Sequence, residues 1–199
     1  MARAFYGLLV AGILMFSSCA TTSLLNVWKD PAYQETAKKT AVIMVSQKAY
    51  IRNSLEDQFV AALQARSNDA VASYAIVPVD QLSDRETVTS KIRSTGADTV
   101  LISRLVDKKT VETYVPGQTY VVPGYYGGWG SYYGTVVSSP GYMYESQYVY
   151  VETNLYDSKT EKLIWTAKSE TEMSATDQQL MKEFVSKMID RLAADKIIK

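Results

Sequence analysis

The stretch Thr40-Ala-Val-Ile-Met-Val-Ser46 is an uninterrupted apolar run of strand length. Strands that are buried on both faces, such as the central strands of α/β sheets, have this pattern. Residues 51–66 follow it, and their apolar positions Ile51, Leu55 and Phe59 recur at steps of four, which predicts an amphipathic helix. A buried strand that leads directly into such a helix predicts an α/β layer at this point.

The same alternation continues towards the C-terminus. Residues 74–79 predict a second strand, and Ser83-x-x-Glu86 has the spacing of a capping box that opens a second helix. Gly96 is placed to end that helix, and residues 98–106 predict a third strand. Strands and helices in this order favour parallel pairing with crossover helices.

The last third of the chain predicts a hairpin and a helix. Residues 148–156 alternate strictly, with Tyr148, Tyr150, Glu152, Asn154 and Tyr156 on one face. A turn at 157–162 and a returning strand at 163–171 complete an antiparallel hairpin. Thr176-x-x-Gln179 caps the final helix. The expected fold is a single α/β (α+β) domain over residues 39–199. It has two or three layers, about three helices and a mixed sheet of about five strands.

The N-terminus reads as an export signal over residues 1–18. Arg3 precedes an uncharged, mostly apolar run of twelve residues, 5–16. Such a run covers about 18 Å as a helix, which is shorter than the roughly 30 Å of hydrocarbon in a bilayer. The run leads through two serines to Cys19, the only cysteine of the chain.

Phe16-Ser-Ser-Cys19 resembles a bacterial lipobox, in which the cysteine receives diacylglycerol and becomes the new N-terminus. The resemblance implies a lipid anchor on Cys19, with residues 19–38 as a lipidated N-terminus and polar tether that docks near Trp28. Ala20, where inner-membrane lipoproteins carry Asp, implies the outer membrane and a domain that faces the periplasm. Ordinary cleavage after Ala20 is the alternative, because Ser18-Cys19-Ala20 also fits a small-x-small site.

Composition limits the chemistry that the domain can perform. The 21 basic and 21 acidic residues balance, and the chain has no histidine. Histidine-based catalysis, thiolate catalysis and zinc clusters are therefore not expected, and neither is a cofactor or a metal site. Carboxylate pairs remain, so Glu152, Glu170 and Glu172 are candidates for a carboxylate-dependent glycan hydrolase. A solvated strand face is the simpler explanation of the same residues.

Residues 114–147 form an unusual segment rich in tyrosine, glycine and proline. Ten of the fifteen tyrosines lie between residues 114 and 150, and seven of the ten glycines lie between 117 and 141. The Pro-Gly pairs predict type II turns, in which glycine takes a positive φ. The segment is expected to be a long loop insertion.

The same segment is the candidate contact surface. Nucleic acid is not expected as a partner, because there is no Lys or Arg between residues 110 and 158 to contact phosphates. Tyrosine offers a large amphipathic surface, which suits an envelope protein or a glycan, and a membrane interface is a further candidate. A β-ribbon or loop without a ligand is the alternative. The candidate binding residues are Tyr114, Tyr120, Tyr125, Tyr126, Trp129, Tyr132, Tyr133, Tyr142 and Tyr144.

Several fragments carry a resemblance across nearly the whole domain. They are Val27-Trp-Lys-Asp-Pro31, Lys39-Thr-Ala-Val-Ile-Met-Val45, Gly96-Ala-Asp98, Thr113-Tyr-Val-Pro-Gly117, Asn154-Leu-Tyr-Asp157 and Lys162-Leu-Ile-Trp165. In this order they resemble a family of uncharacterised bacterial outer-membrane lipoproteins. The order of elements is also similar to the TolB N-terminal domain and to the curli secretion lipoprotein CsgG.

The resemblance implies a non-catalytic, lipid-anchored envelope protein that binds or assembles. Its partners would be the membrane, through the lipid, and an envelope protein or glycan, with the oligomeric state left open. An oligomeric ring or pore-like secretion component is a further hypothesis. It requires long amphipathic strands in the Tyr/Gly-rich segment, where the sequence predicts only short ones at 119–122 and 135–137.

Overall fold

The computed structural model describes residues 22–122 and 135–199. Eight strands and three α-helices are defined in these two ranges. In chain order they are β1 (Thr22–Lys29), β2 (Lys39–Val45), α1 (Ala49–Ala65), β3 (Asp69–Ala72), α2 (Arg85–Ser94), β4 (Thr99–Val115), β5 (Gln118–Val122), β6 (Thr135–Ser139), β7 (Tyr142–Asp157), β8 (Leu163–Glu172) and α3 (Asp177–Ala194).

Six of the strands form one mixed sheet in the order β1-β8-β7-β4-β2-β3, and β5 pairs with β6 separately. β2 is parallel to both β3 and β4, whereas the other neighbours are antiparallel. The chain passes from β2 outward to β3 through α1, and then back across β2 to β4 through α2. Because both crossovers are expected to be right-handed, the two helices must cover opposite faces of the sheet.

The side chains of β2 show these two faces. Val42 and Met44 belong to the main core, which α1 and α3 cover. Ala41 and Ile43 belong to a smaller core, which contains Ile92 of α2. Around β2 the domain thus has three layers. On the outer face of β7 and β8 the side chains are only half-buried, so that part of the domain has two layers.

The structure confirms the fold class predicted from the sequence. β2, α1, α3 and the β7–β8 hairpin lie where they were expected. Gly96 has a φ of +72°, as its predicted place at the end of α2 requires. The capping box of α3 is also present: Gln179 N donates to the Thr176 side chain, and Thr176 N donates to Gln179 Oε1.

Three local predictions are corrected. The chain from Thr22 is an edge strand, not an irregular tether, because β1 pairs antiparallel with β8. The second strand is Asp69–Ala72, and the predicted strand at 74–79 instead contains part of a short 3₁₀ helix. α2 is capped by Asp84, whose carboxylate accepts from Thr87 N, one residue later than the predicted Ser83 cap.

A buried ion pair ties the end of β2 to α1. Arg52 and Glu56 are almost completely inaccessible to solvent, and Arg52 Nε donates to Glu56 Oε1 at 3.1 Å. Glu56 also accepts from the backbone N–H groups of Met44 and Tyr74 and from the Ser73 hydroxyl. Since β3 already ends opposite Val42, the carboxylate satisfies the N–H of Met44 where the neighbouring strand is missing.

Within the two described ranges, no helix has both the length and the apolar character needed to cross a membrane.

Candidate binding surface

β4 and β7 are the longest strands of the molecule, with 17 and 16 residues. Their pairing runs without a gap from Thr99 opposite Asp157 to Val115 opposite Tyr142, apart from a bulge between Leu105 and Asp107. Before the bulge they belong to the central sheet. Beyond it β7 still pairs with β8 as far as Tyr148. Past Tyr148, β4 and β7 leave the domain as a two-stranded ribbon, which continues as β5 and β6.

We call residues 106–150 the arm, of which 106–122 and 135–150 are described. In its described part the predicted loop insertion at 114–147 is mostly β-ribbon. From the sequence a β-ribbon was only the alternative to a loop, because the Pro-Gly pairs look like the ends of strands. Here they lie opposite each other in the ribbon and interrupt both strands at the same level.

Gly117 and Gly141 allow the two strands to approach closely at that level. A Cβ on Gly117 would contact the carbonyl oxygen of Ser139 and lie 2.7 Å from the Gly141 nitrogen. A Cβ on Gly141 would contact the Tyr114 hydroxyl and lie 2.8 Å from Tyr114 Cζ. Neither glycine has a positive φ, so the type II turns predicted at these two pairs are absent. Glycine is required at these two positions because a side chain would not fit between the strands. It is not required by a left-handed backbone conformation.

One face of the arm carries a row of tyrosines. Because side chains alternate along a strand, Tyr142, Tyr144, Tyr148 and Tyr150 of β7 project to the same side. Tyr142 and Tyr144 are exposed, and the two tyrosines nearer the domain are half-buried. This row continues onto the outer face of the central sheet, where no α1 or α3 residue covers it. It is the candidate binding surface.

The predicted binding residues fall into three groups. Tyr142 and Tyr144 lie together on the aromatic row, whereas Tyr114 lies opposite Met143 on the other face and covers Gly141. Tyr120 belongs to β5 by its backbone. Outside the described residues lie Cys19, Tyr125, Tyr126, Trp129, Tyr132 and Tyr133.

Tyr150 sits at the root of the arm between two lysines. Lys109 Nζ and Lys168 Nζ each lie 5.2 Å from the centre of its ring, within cation–π range. Its hydroxyl donates to Glu170 Oε2 at 2.6 Å, and this hydrogen bond raises the pKa of Tyr150 to about 12, helped by desolvation and by the charge of Glu170. The cluster joins three strands, so only the register between them could have revealed it.

The three candidate catalytic carboxylates share the outer face of β7 and β8, but each has a partner. Glu170 accepts from Tyr150, as described above. Glu152 pairs with Arg104 at 3.3 Å and accepts from Asn154 Nδ2 at 2.8 Å. Glu172 accepts from Ser146 Oγ at 3.1 Å. These are ordinary cross-strand contacts.

An apolar groove lies on the opposite face, beside the root of the arm. It has a volume of about 350 Å³ and opens between the first turns of α1 and α3. Val45, Leu105 and Met173, all exposed apolar side chains, stand among its lining residues. No local pattern in the sequence indicates this groove, because its walls come from six different elements.

Among the residues that the structure describes, no group of three or more acidic, histidine or cysteine side chains is arranged to hold a metal ion.

No family model matches the chain, and no curated protein matches it. Some solved bacterial structures overlap with most of it at low identity. A PelC dodecamer from Paraburkholderia phytofirmans is 14% identical, with 83% of this chain and 94% of that chain covered and a TM-score of 0.47. Lipoprotein GNA1162 from Neisseria meningitidis is 13% identical, with 78% and 98% covered and a TM-score of 0.42. The hypothetical protein CT253 from Chlamydia trachomatis is 10% identical, with 80% and 99% covered and a TM-score of 0.40. The similar structures thus include one named as a lipoprotein and one named as a dodecamer, and these descriptions belong to those proteins.

Proposed function

We propose that the chain is a non-catalytic envelope lipoprotein, held at a bacterial outer membrane by lipid on Cys19 and facing the periplasm. It acts as a binding or assembly module, and its contact surface is the arm. The observation that carries this proposal is the row of tyrosines along β7, two of them exposed, on a ribbon that projects from the folded domain.

The make-up of the arm supports a binding role over a structural one. Of the arm side chains for which burial is described, only Ser146 is buried. Tyr142, Met143 and Tyr144 leave apolar surface in water, which folding alone would not select. Tyrosine binds through a large surface with few rotatable bonds, so the row suits a protein or glycan partner.

The carboxylates give the hydrolase hypothesis little support. A hydrolase needs two carboxyl groups that face one substrate, one of them free to give up a proton. Glu152 and Glu170 are each held by a basic or phenolic neighbour in the sheet. Replacing Glu152, Glu170 and Glu172 together with Gln is expected to leave envelope glycans unchanged, and a loss of glycan turnover would favour the hydrolase.

One observation favours oligomeric assembly as a second candidate. The sequence predicted only short strands in the Tyr/Gly-rich segment, whereas β4 and β7 continue as strands up to Val115 and from Tyr142. Glu112 and Glu145 lie opposite each other on the face away from the tyrosine row, which they share with Tyr114 and Met143. The length requirement of a ring or pore-like component is therefore met. Native mass spectrometry of the lipidated protein tests this candidate. If both the wild type and a variant without the arm are monomers, oligomeric assembly is excluded.

The arm itself is tested by a deletion that respects the register. Val115 and Tyr142 are direct partners, so replacing residues 116–141 with Asn-Gly closes the ribbon with a two-residue hairpin turn. A second variant, Tyr142→Ser with Tyr144→Ser, keeps the ribbon and removes the exposed tyrosines. Tyr50→Ser is the matched control, since Tyr50 is 58% exposed and Tyr142 is 59% exposed, but Tyr50 lies on α1.

The readout is capture of cross-linked envelope partners, identified by mass spectrometry. We expect both arm variants to lose partners that the wild type and the Tyr50→Ser control retain. Persistence of every partner in a folded arm deletion would show that the arm is not the contact surface.

A further inference from the structure

The apolar groove beside the arm lies where ligands collect in α/β folds. After β2 the chain forms β3 on one side of β2 and then β4 on the other side. The strand order therefore reverses direction between β2 and β4. Ligands bind outside the carboxyl ends of strands at such a point. Val45 is the last residue of β2, and Leu105 follows Arg104, the last residue of β4 that pairs with β2. Both line the groove, whose volume of about 350 Å³ is in the usual range for small-molecule sites.

The lining selects an aliphatic occupant. Its walls are Met44, Leu55, Val151, Leu180 and Phe184, and its open side is bordered by Leu105 and Met173. The charged lining residues are Lys48, Lys108 and Asp177. The Thr171 hydroxyl shares a 2.9 Å hydrogen bond with the Thr22 hydroxyl, so it needs no partner from a ligand.

The start of β1 lies beside this groove. Thr22 pairs directly with Thr171, which lines the groove. β1 and β8 are antiparallel, so the N-terminal end of β1 lies on the side on which Met173 follows Thr171. Cys19 precedes Thr22 by three residues, and three residues of fully extended chain span at most about 11 Å. A lipid on Cys19 is therefore attached within reach of the groove.

We propose that the groove holds one acyl chain of the lipid attached to Cys19. This rests on the proposed lipid anchor. The groove and a bilayer both offer an apolar environment, so the acyl chain exchanges between them. In the groove, the acyl chain is shielded from water whenever the domain is away from a membrane. The exposed apolar side chains of Val45, Leu105 and Met173 become covered when the acyl chain occupies the groove.

The direct test locates the lipid in the full-length protein. Cells are fed a fatty acid that carries a photoreactive group, which enters the Cys19 lipid, and the irradiated, digested protein is analysed by mass spectrometry. We expect cross-links within the same chain, from the Cys19 peptide to peptides that contain Leu105, Met173 or Leu180.

Two variants on one strand make the test specific. Leu105 lines the groove and is 46% exposed, whereas Val111 is 44% exposed and lies out on the arm. Leu105→Glu should reduce the intramolecular cross-link at least fivefold, and Val111→Glu should leave it unchanged. If Leu105→Glu does not give the wild-type circular dichroism spectrum, Met173→Glu replaces it, since Met173 also lines the groove and is 40% exposed.

A binding measurement isolates the groove from the anchor. The full chain with Cys19→Ala should bind a dansyl-labelled undecanoic acid, and adding Leu105→Glu should weaken binding at least tenfold while Val111→Glu does not. Failure of the Cys19→Ala chain to bind this probe would overturn the inference. Cross-links from a lipidated Cys19 only to phospholipid or to other proteins would also overturn the inference, but they would support the lipid anchor itself. A Cys19 peptide that carries no lipid would remove the anchor and, with it, this inference.

Discussion

The inner and outer halves of β4 and β7 belong to the same two strands but are stabilised differently. In the inner half, Leu101, Val151 and Leu155 are buried under α1 and α3. In the outer half, beyond the bulge at Leu105, most described side chains are exposed and only Ser146 is buried. Burial therefore stabilises the domain, whereas the arm depends on its cross-strand hydrogen bonds and on continuity with the sheet. This difference predicts that the two regions respond separately to mutation.

The largest expected effect is in the domain, at Glu56. Glu56→Ala leaves the buried charge of Arg52 without its partner, which costs about 3–5 kcal/mol in the free energy of unfolding. It also leaves the N–H of Met44 unpaired. Urea denaturation followed by circular dichroism measures the loss.

Glu112→Ala is the control in the arm, because Glu112 is an exposed carboxylate on β4. It should change the free energy of unfolding by no more than about 0.5 kcal/mol. Equal losses in the two variants would contradict the division between domain and arm.

The next effect is in the arm, at Gly117. Gly117→Val places side-chain atoms against the backbone of Ser139 and Gly141, and relieving such overlap typically costs about 1–3 kcal/mol. We expect faster amide hydrogen exchange in β5, β6 and the outer part of β7, measured by mass spectrometry. Exchange in α1, α3 and the inner half of β4 should stay at the wild-type rate.

Gly96→Ala provides the converse experiment. Gly96 has open space around it but a φ of +72°, a conformation that costs an L-residue about 1–2 kcal/mol. The loss should appear in the global unfolding of the domain and leave exchange in the arm unchanged. A variant of either glycine that loosened both regions equally would mean that domain and arm unfold as one unit.

The smallest expected effect concerns the junction between the two regions, at Tyr150. Its pKa of about 12 in the folded protein lies above the value of 10.0 for free tyrosine, so its hydrogen bond to Glu170 favours the protonated phenol. The stabilisation is complete below pH 10 and is lost as the pH rises through 12. Ultraviolet absorbance titration of the wild type minus Tyr150→Phe isolates this phenol.

Glu170→Gln should lower the pKa of Tyr150 towards that of free tyrosine, because it removes the charged acceptor. Glu172→Gln is the control, since Glu172 accepts from Ser146 instead. A pKa that moves equally in both variants would show that the general field of the sheet, rather than the hydrogen bond, sets it.

The sequence predicted those parts of the domain whose signals are local. Three such signals were found: the apolar run of β2, the periodicity of α1 and the capping box of α3. Each is contained in a short stretch of consecutive residues. β1 was missed because it is an edge strand with a bulge between Leu24 and Val27, so its apolar residues form neither a continuous run nor a strict alternation. Its strand character depends on β8, which is far away in the sequence.

The candidate site was less predictable, for the same reason. Tyr142 and Tyr144 could be selected from composition, but the tyrosine row becomes visible only once β7 is known to be one strand. Arg52 and Glu56 have the spacing of an ordinary surface pair on a helix, and only the packing of the chain around them makes them a buried pair. Register and burial are properties of the tertiary structure, and single-sequence patterns do not contain them.

The short distance between Cys19 and β1 has a mechanical consequence. Val149 at the root of the arm is paired with Thr171, and so is Thr22 at the start of β1, so the start of β1 and the root of the arm lie at the same end of the domain. The arm down to β5 is about 50 Å of strand. With lipid on Cys19, as proposed, the arm would search only a layer next to the membrane surface, about as deep as the domain and the arm together. Within that small search volume, even a weakly bound partner is met repeatedly.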